Sequence, residues 1–349
     1  NSAAAVGTIT GIREIDKTGR ITVISDEKYH TYSRPLISYW LMGKVNDKNI
    51  FYREPDFYEK NNVETVLGHK VTKIDPEVKK VVLDDGSAVA YDKLMVATGS
   101  KPFVPPMNGL DKITYHTFMT YDSVKAIKAE VREGMKVLII GAGLIGLKAA
   151  EALNEYKAEI TVVDMADRIL PSILDVRAGA KMQKHIESKG TRFILGTSVD
   201  EFSEHSAKLK NGMTVDFDMV IIAVGVRPNT ELVSDAGGKV ERGIICDLTQ
   251  KTTLDDIYAA GDCTVSHDAS SDTDKILALL PNAYMQGEVA GKNMAGQETY
   301  YVNAIPMNAI GFFGLHIITA GSYDGEEYVE ENENTYKKLV FKDGLLKGF

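Results

Sequence analysis

Three glycines and one carboxylate in this chain are spaced for chemistry with a phosphorylated dinucleotide. Gly141, Gly143 and Gly146 follow the apolar run Val137-Leu138-Ile139-Ile140 and precede a helical pattern that runs through Leu153. A second apolar strand, residues 159–163, closes on Asp164. The GxGxxG spacing gives each glycine a task. Gly141 permits a tight turn, Gly143 lets the backbone approach a pyrophosphate, and Gly146 lets helix and strand pack closely. Leu144 and Ile145 begin the helix, whose free N–H groups and positive dipole end favour phosphate. A carboxylate about 20 residues beyond such a loop accepts ribose hydroxyls and repels a 2′-phosphate. Asp164 therefore favours NADH over NADPH, although Arg168 lies near enough in sequence to reach a phosphate.

A βαβ unit of this kind needs a sheet to carry it, and the composition supplies one. The chain has 349 residues, 44% of them hydrophobic and 26% charged, as expected of a globular protein of two or three domains. No apolar run approaches the roughly 18 residues of a membrane span, and no targeting leader stands at the start. A net charge of −9 argues against nucleic acid as a partner. The two cysteines, Cys246 and Cys263, form no CxxC, which excludes a disulfide scaffold and fits a reducing, cytoplasmic setting. The seven histidines are scattered without HxxH or HExxH spacing, so no metal site is expected.

The N-terminal stretch reads as the second half of another dinucleotide unit. Ser2, Ala3, Ala4 and Ala5 are small enough to let a helix start sit close to a phosphate. The helix extends to about Ile15. The strand Ile21–Ile24 follows, and Asp26 takes the ribose position. The first strand and its glycine are expected just before Asn1, so both ends of the sequence read as incomplete, the C-terminus stopping in mid-strand at Phe349. Three further strands end in small-residue turns: Leu94-Met95-Val96 at Ala97-Thr98-Gly99, Val220–Val224 at Gly225, and Ile257-Tyr258-Ala259 at Ala260-Gly261-Asp262.

Together and in this order these pieces resemble the FAD-dependent pyridine nucleotide–disulfide oxidoreductases. The resemblance also draws on Tyr-Ser-Arg-Pro at 32–35, Gly-Val-Arg-Pro-Asn at 225–229 and Leu-Pro-Asn-Ala at 280–283, and it spans essentially the whole chain. It implies an α/β fold of the glutathione-reductase-like, three-layer ββα type, with two Rossmann-like domains and a smaller C-terminal α+β domain. Residues 1–105 and 229–296 would form the FAD domain, 106–228 the NADH domain and 297–349 the C-terminal domain. A β-hairpin is expected near Val71–Lys93, turning at Asp85-Gly86.

Carried over by resemblance, Ser2 to Ala5 face the FAD pyrophosphate and Asp26 its adenosine ribose. Arg34 and Pro35 lie beside the flavin, Thr98 and Gly99 near the diphosphate or adenosine side, and Asp262 at the ribityl chain. Pro281 and Asn282 open a helix through about Gly291 whose positive end supports charge on the reduced flavin. Gly141, Gly143, Leu144, Ile145, Gly146, Asp164 and Gly225 serve NADH.

The sequence departs from that family at two places. Where disulfide reductases carry a thiol beside the flavin, this chain has Met42, which forms neither a thiolate nor a mixed disulfide. Where many relatives place a Lys and a Glu that can pair beside the flavin, it has Tyr39 and Lys148. Lys148 is expected to bring positive charge to the flavin–nicotinamide contact with Tyr39 beside it, or else to extend into solvent. Trp40, Tyr39 and Tyr32 read as core or domain-interface aromatics. The resemblance is strongest to the branch with NADH:rubredoxin oxidoreductase and the flavin part of NADH nitrite reductase. It implies NADH-dependent electron transfer through FAD to a small redox protein or metal-centre subunit, and it admits a homodimer. The alternatives are an NADH oxidase or peroxide or disulfide reductase, and an FAD- and NADH-binding interaction or sensor protein. Rubredoxins are generally acidic, so the net charge offers no global steering and a local basic patch would be needed.

Overall fold

The computed structural model describes residues 1–349. The strand before the glycine loop, Lys136–Ile140, lies inside a four-stranded parallel sheet ordered Arg192–Ile194, Glu159–Val163, Lys136–Ile140, Met219–Ile222. Val137 faces Ile160 on one side and Met219 on the other, and Ile140 faces Val163 and Ile222. Val137 to Ile140 are all buried. A parallel strand covered on both faces needs apolar residues at every position, which is why this run does not alternate. Its two faces feed different cores. Val137 and Ile139 pack with Leu147, Ala150 and Leu153 of the helix Leu144–Asn154. Leu138 and Ile140 pack with Phe202, Leu209 and Val215 of a three-stranded antiparallel sheet.

The N-terminal helix, Ala3–Ile15, is followed by the strand Ile21–Ser25, which pairs in parallel with Val63–Leu67. The helix Leu280–Met294 lies against the N-terminal helix and runs one turn past the expected end at Gly291. Glycine sets that approach on both sides. A Cβ at Gly7 would lie 2.1 Å from the Tyr284 carbonyl oxygen, and one at Gly11 2.2 Å from that of Glu288. From the other helix, a Cβ at Gly287 would lie 2.0 Å from the Ala4 oxygen and one at Gly291 2.2 Å from that of Thr8. Only backbone fits along this seam.

The segment near Val71–Lys93 is a three-stranded antiparallel sheet rather than a single hairpin: Val71–Asp75, Lys80–Leu83 and Ala88–Ala90. Asp85-Gly86 makes the second turn, with Gly86 at φ +84°. The strand Leu94–Val96 pairs in parallel with Ile257–Ala259. Beside them, Ser100–Pro102 pairs antiparallel with Val226–Pro228. Residues 297–349 hold five strands and no helix. Asp343-Gly344 turns between the last two strands as the sequence suggests. No helix is long and apolar enough to cross a membrane.

Candidate functional site

The helices differ sharply in how they begin. Thr120 caps the helix Tyr121–Glu130 by accepting from the Ser123 N–H, and the Ser123 hydroxyl accepts in return from the Thr120 N–H. Asp175 caps Val176–Glu187 by accepting from the Ala178 N–H at 2.9 Å. The helices beginning at Ala3, Leu144 and Leu280 have no side-chain cap. The N–H groups of Ala3, Ala4 and Ala5 find no acceptor within the chain, and neither do those of Gly143, Leu144 and Ile145. Free first-turn N–H groups at a helix start form an anion site, and the helix dipole adds to it.

The glycine loop divides its labour as the spacing suggests. Gly141 has φ +113°, and a Cβ there would meet the Ala223 carbonyl oxygen at 2.3 Å. A Cβ at Gly146 would lie 2.0 Å from the Gly141 oxygen. At Gly143 nothing comes within 4 Å, so the space in front of this residue is open to a ligand. Asp164 ends its strand with both carboxylate oxygens in use. Oδ2 accepts from the Ala142 N–H at 2.6 Å and Oδ1 from the Ala166 N–H at 2.8 Å. The carboxylate is thus held at the mouth of the loop and still has lone pairs for further donors. Gly225, at φ +116°, also has open space around it. Beside Asp164, Met165, Gly196, Thr197, Ser198, Lys210 and Asn211 line a cleft of about 320 Å³. Arg168 pairs with Asp167 at 3.0 Å.

Around the N-terminal helix the structure gathers residues that are far apart in sequence. Asp26 is exposed at the end of its strand. Arg34 starts a short 3-10 turn with Pro35. Its guanidinium pairs with Glu27 and donates to the Tyr32 hydroxyl at 3.0 Å and the Met119 carbonyl at 3.2 Å. Thr98 and Asn229 clamp each other. The Thr98 hydroxyl donates to the Asn229 carbonyl at 2.7 Å, and the Asn229 amide donates to the Thr98 carbonyl at 2.8 Å. Gly99 between them has φ +61° and open space. The Ser100 hydroxyl donates to Asp262 at 3.1 Å. Burial raises the Asp262 carboxyl above its ordinary value, while the Ser100 hydroxyl and the positive charge of Arg34 pull the other way. The Ala-Thr-Gly, Arg-Pro-Asn and Gly-Asp turns therefore form one neighbourhood. Pro281 stands in the first turn of its helix. Asn282 is buried and accepts from the Tyr301 hydroxyl at 3.0 Å.

Gln286 was not legible in the sequence. Its side-chain oxygen accepts from the Gly261 N–H at 2.7 Å and its amide donates to the Ser266 hydroxyl, so it fixes the backbone turn that presents Asp262. Glu151 is a second residue that the structure adds to the site. Lys148 does not reach solvent. Its side chain is 13% exposed and its ammonium donates to Glu151 and to the Gly311 carbonyl, each at 2.7 Å. The Tyr39 ring lies 4.9 Å from the ammonium. Glu151 also accepts from the Phe313 N–H at 2.8 Å. Lys148 is thus half of a largely buried ion pair rather than extended into solvent, with Tyr39 beside it. A chemical signal was available, since Lys148 and Glu151 stand three apart on one helix face.

Trp40 and Tyr32 are buried in the largest core, and Met42 packs against it half-buried. Both cysteines are reduced. Cys263 is fully buried, and burial raises both thiols well above the ordinary range.

The pyridine nucleotide-disulphide oxidoreductase family model matches residues 1–287. The epsilon subunit of NADH-dependent phenylglyoxylate dehydrogenase from Aromatoleum evansii is 32% identical over all of this chain and 86% of its own length. The nitrite reductase [NAD(P)H] of Bacillus subtilis is 31% identical, and here the chain spans 44% of the relative. Among solved structures, NADH:rubredoxin oxidoreductase from Clostridium acetobutylicum aligns with a TM-score of 0.82 at 27% identity, over 99% of this chain and 88% of that one. Two uncapped helix starts with open glycine backbone, set in this α/β frame, thus coincide with a family match over most of the sequence: the chain belongs to the pyridine nucleotide-disulphide oxidoreductases, oxidoreductases that bind FAD and a nicotinamide dinucleotide.

Proposed function

We propose that this chain takes electrons from NADH through FAD and passes them to a separate redox protein or metal-centre subunit, without a cysteine in the relay. The observation that carries this reading is the pair of uncapped helix starts at Ala3 and Leu144, each with unpaired N–H groups, in a molecule whose helices at Tyr121 and Val176 are capped. Ser2 to Ala5 would hold the FAD pyrophosphate, with Asp26 at the adenosine ribose. Thr98 and Gly99 would pass along the diphosphate or adenosine side, and Asp262 would meet the ribityl chain. Arg34, Pro35 and the helix start at Pro281-Asn282 would flank the flavin. Bound FAD would supply hydride acceptance and stepwise electron release.

The protein's part is alignment. Gly143 leaves room for the NADH pyrophosphate against the N–H groups of Leu144 and Ile145. Asp164 arrives already oriented by two backbone N–H bonds, so binding ribose hydroxyls costs little reorganisation. Its negative charge opposes a 2′-phosphate, which favours NADH over NADPH. Gly225 keeps the loop above the sheet open. Lys148 and Glu151, tied to Tyr39 and to the turn at Gly311–Phe313, would hold the nicotinamide side of the helix against the rest of the site. Met42 in the thiol position and two thiols kept protonated by burial support a route that bypasses sulfur.

The names of the relatives couple a nicotinamide dinucleotide to a dehydrogenase assembly, to nitrite and to rubredoxin, which supports a protein or metal-centre acceptor. Anaerobic addition of NADH should bleach the flavin, and rubredoxin should restore its colour faster than air does. Restoration by air alone would replace this reading with an oxidase.

A further inference from the structure

A protein acceptor needs a place to dock, and one face of the molecule runs against the overall charge. Residues 28–48 contain four Lys or Arg and one Asp, and the helix Tyr121–Glu130 contains two Lys, one Asp and one Glu. Together these two segments are net positive in a chain whose formal charge is −9.

They also meet in space, over aromatic rings. The Lys125 ammonium lies 3.9 Å from the Tyr121 ring centroid and 4.5 Å from that of Tyr29. Lys28 approaches Tyr29 from elsewhere, at 5.6 Å. Lys128 sits 4.2 Å over Trp40, whose ring stands edge-on to Tyr121 at 5.1 Å. Asp47 accepts from the Trp40 indole at 2.6 Å and from the Tyr121 hydroxyl, and Asp122 accepts from Tyr29. Asp47 and Asp122 are tied to the aromatic framework, Glu130 turns to His116 at 2.7 Å, and Lys48 is exposed next to Asp47. Rings hold the Lys125 and Lys128 ammonium groups in place, so these two side chains have less freedom to lose on binding. The same segment carries Tyr32 and Arg34, so the face is continuous with the residues assigned to the flavin.

We propose that this lysine-and-aromatic face, built from residues 28–48 and the helix Tyr121–Glu130, docks an acidic electron-accepting protein. The inference rests on the electron-transfer reading above and adds the surface and the charge of the partner. Lysines around an aromatic centre would steer an acidic protein to the flavin side against the repulsion of the remaining surface.

The test compares wild type with two double variants, Lys125→Glu/Lys128→Glu and Lys28→Glu/Lys48→Glu. The second pair does not touch Trp40 or Tyr121, so it guards against a packing defect in the first. NADH-dependent reduction of an acidic rubredoxin is measured at low and high salt, with the uncharged quinone menadione as a second acceptor. In the wild type, the KM for rubredoxin should rise steeply with salt. Each variant should raise the low-salt KM about tenfold and flatten the salt response, while menadione reduction stays unchanged. An unchanged rubredoxin KM in both variants would overturn the proposal. If wild type reduces menadione but no rubredoxin at any salt, the docking proposal falls and NADH-to-flavin transfer stands. If it reduces neither, the underlying reading falls too.

Discussion

Around Gly143 the backbone stands open, whereas at Gly7, Gly11, Gly287 and Gly291 it is shut against another helix. Both regions begin a helix without a side-chain cap, yet they spend glycine differently. In the loop at 141–146, glycine clears the space in front of the helix and lets the strand fold back beneath it. In the N-terminal region the helix start is built of Ser2 and three alanines, and glycine lies deeper, where two helices touch backbone to backbone. The first arrangement shapes a binding surface directly. The second fixes the distance between two helix starts, at Ala3 and Leu280, and shapes the surface by holding both in place.

That comparison predicts different failures. Gly287→Val should be the most damaging change, because its Cβ would fall 2.0 Å from the Ala4 carbonyl and no side chain can yield there. We expect a loss of about 3 kcal/mol in urea unfolding, together with lost flavin. A variant as stable as wild type would mean that the seam is not rigid. Asp268→Asn probes the base of the same region, since Asp268 is 0% exposed beside Ser266, the partner of Gln286. Burial disfavours the Asp268 charge, but Lys275 and the hydroxyls of Ser271 and Ser270 outweigh it and hold the carboxyl at about 2, below its ordinary 3.8. Because the folded value is depressed, the stabilisation is complete above the ordinary value and disappears as pH falls toward 2. The variant should lose about 2 kcal/mol at neutral pH, and the gap to wild type should close in acid unfolding curves.

On the NADH side the fold should survive. Gly143→Ala places a methyl in open space, so the melting temperature should hold while the KM for NADH rises about tenfold, or about 1.4 kcal/mol. Gly146→Ala, with its Cβ 2.0 Å from the Gly141 oxygen, should instead cost stability. Equal behaviour of the two variants would erase the distinction between the open and the closed glycine. The smallest effect is expected from Glu151→Gln. It keeps the shape and leaves Lys148 with the Gly311 carbonyl, so about 1 kcal/mol of stability should go, with a shift in NADH KM rather than in quinone-dependent turnover at saturation.

How much of this was legible in advance follows from the range of each interaction. The parallel sheet, the glycine loop and Asp164 were readable because a βαβ unit is local: strand, turn, helix and acid follow one another in sequence. The seam of Gly7 and Gly11 with Gly287 and Gly291 was not, because each pair looks like an ordinary helix glycine until the distant partner is brought against it. Gln286 was hidden for the same reason. Lys148 stands out in the sequence as a departure and Glu151 lies three residues on along the same helix, but the anchoring carbonyl of Gly311 is visible only once the turn at 311–314 is placed. The basic face was concealed by a net charge that averages over the whole chain. The second turn, at Asp85-Gly86, is plain from local chemistry, whereas the first, at 76–79, carries no Gly or Asn signal.

The most direct test is an anaerobic NADH titration of wild type and Gly143→Ala, following the absorbance of the oxidised flavin. The account predicts flavin in both proteins, stoichiometric bleaching of the wild type, and bleaching of the variant only at higher NADH. A wild-type protein whose flavin is unaffected by NADH, or a variant that titrates identically, would contradict the assignment of the open loop at Gly143 to the dinucleotide.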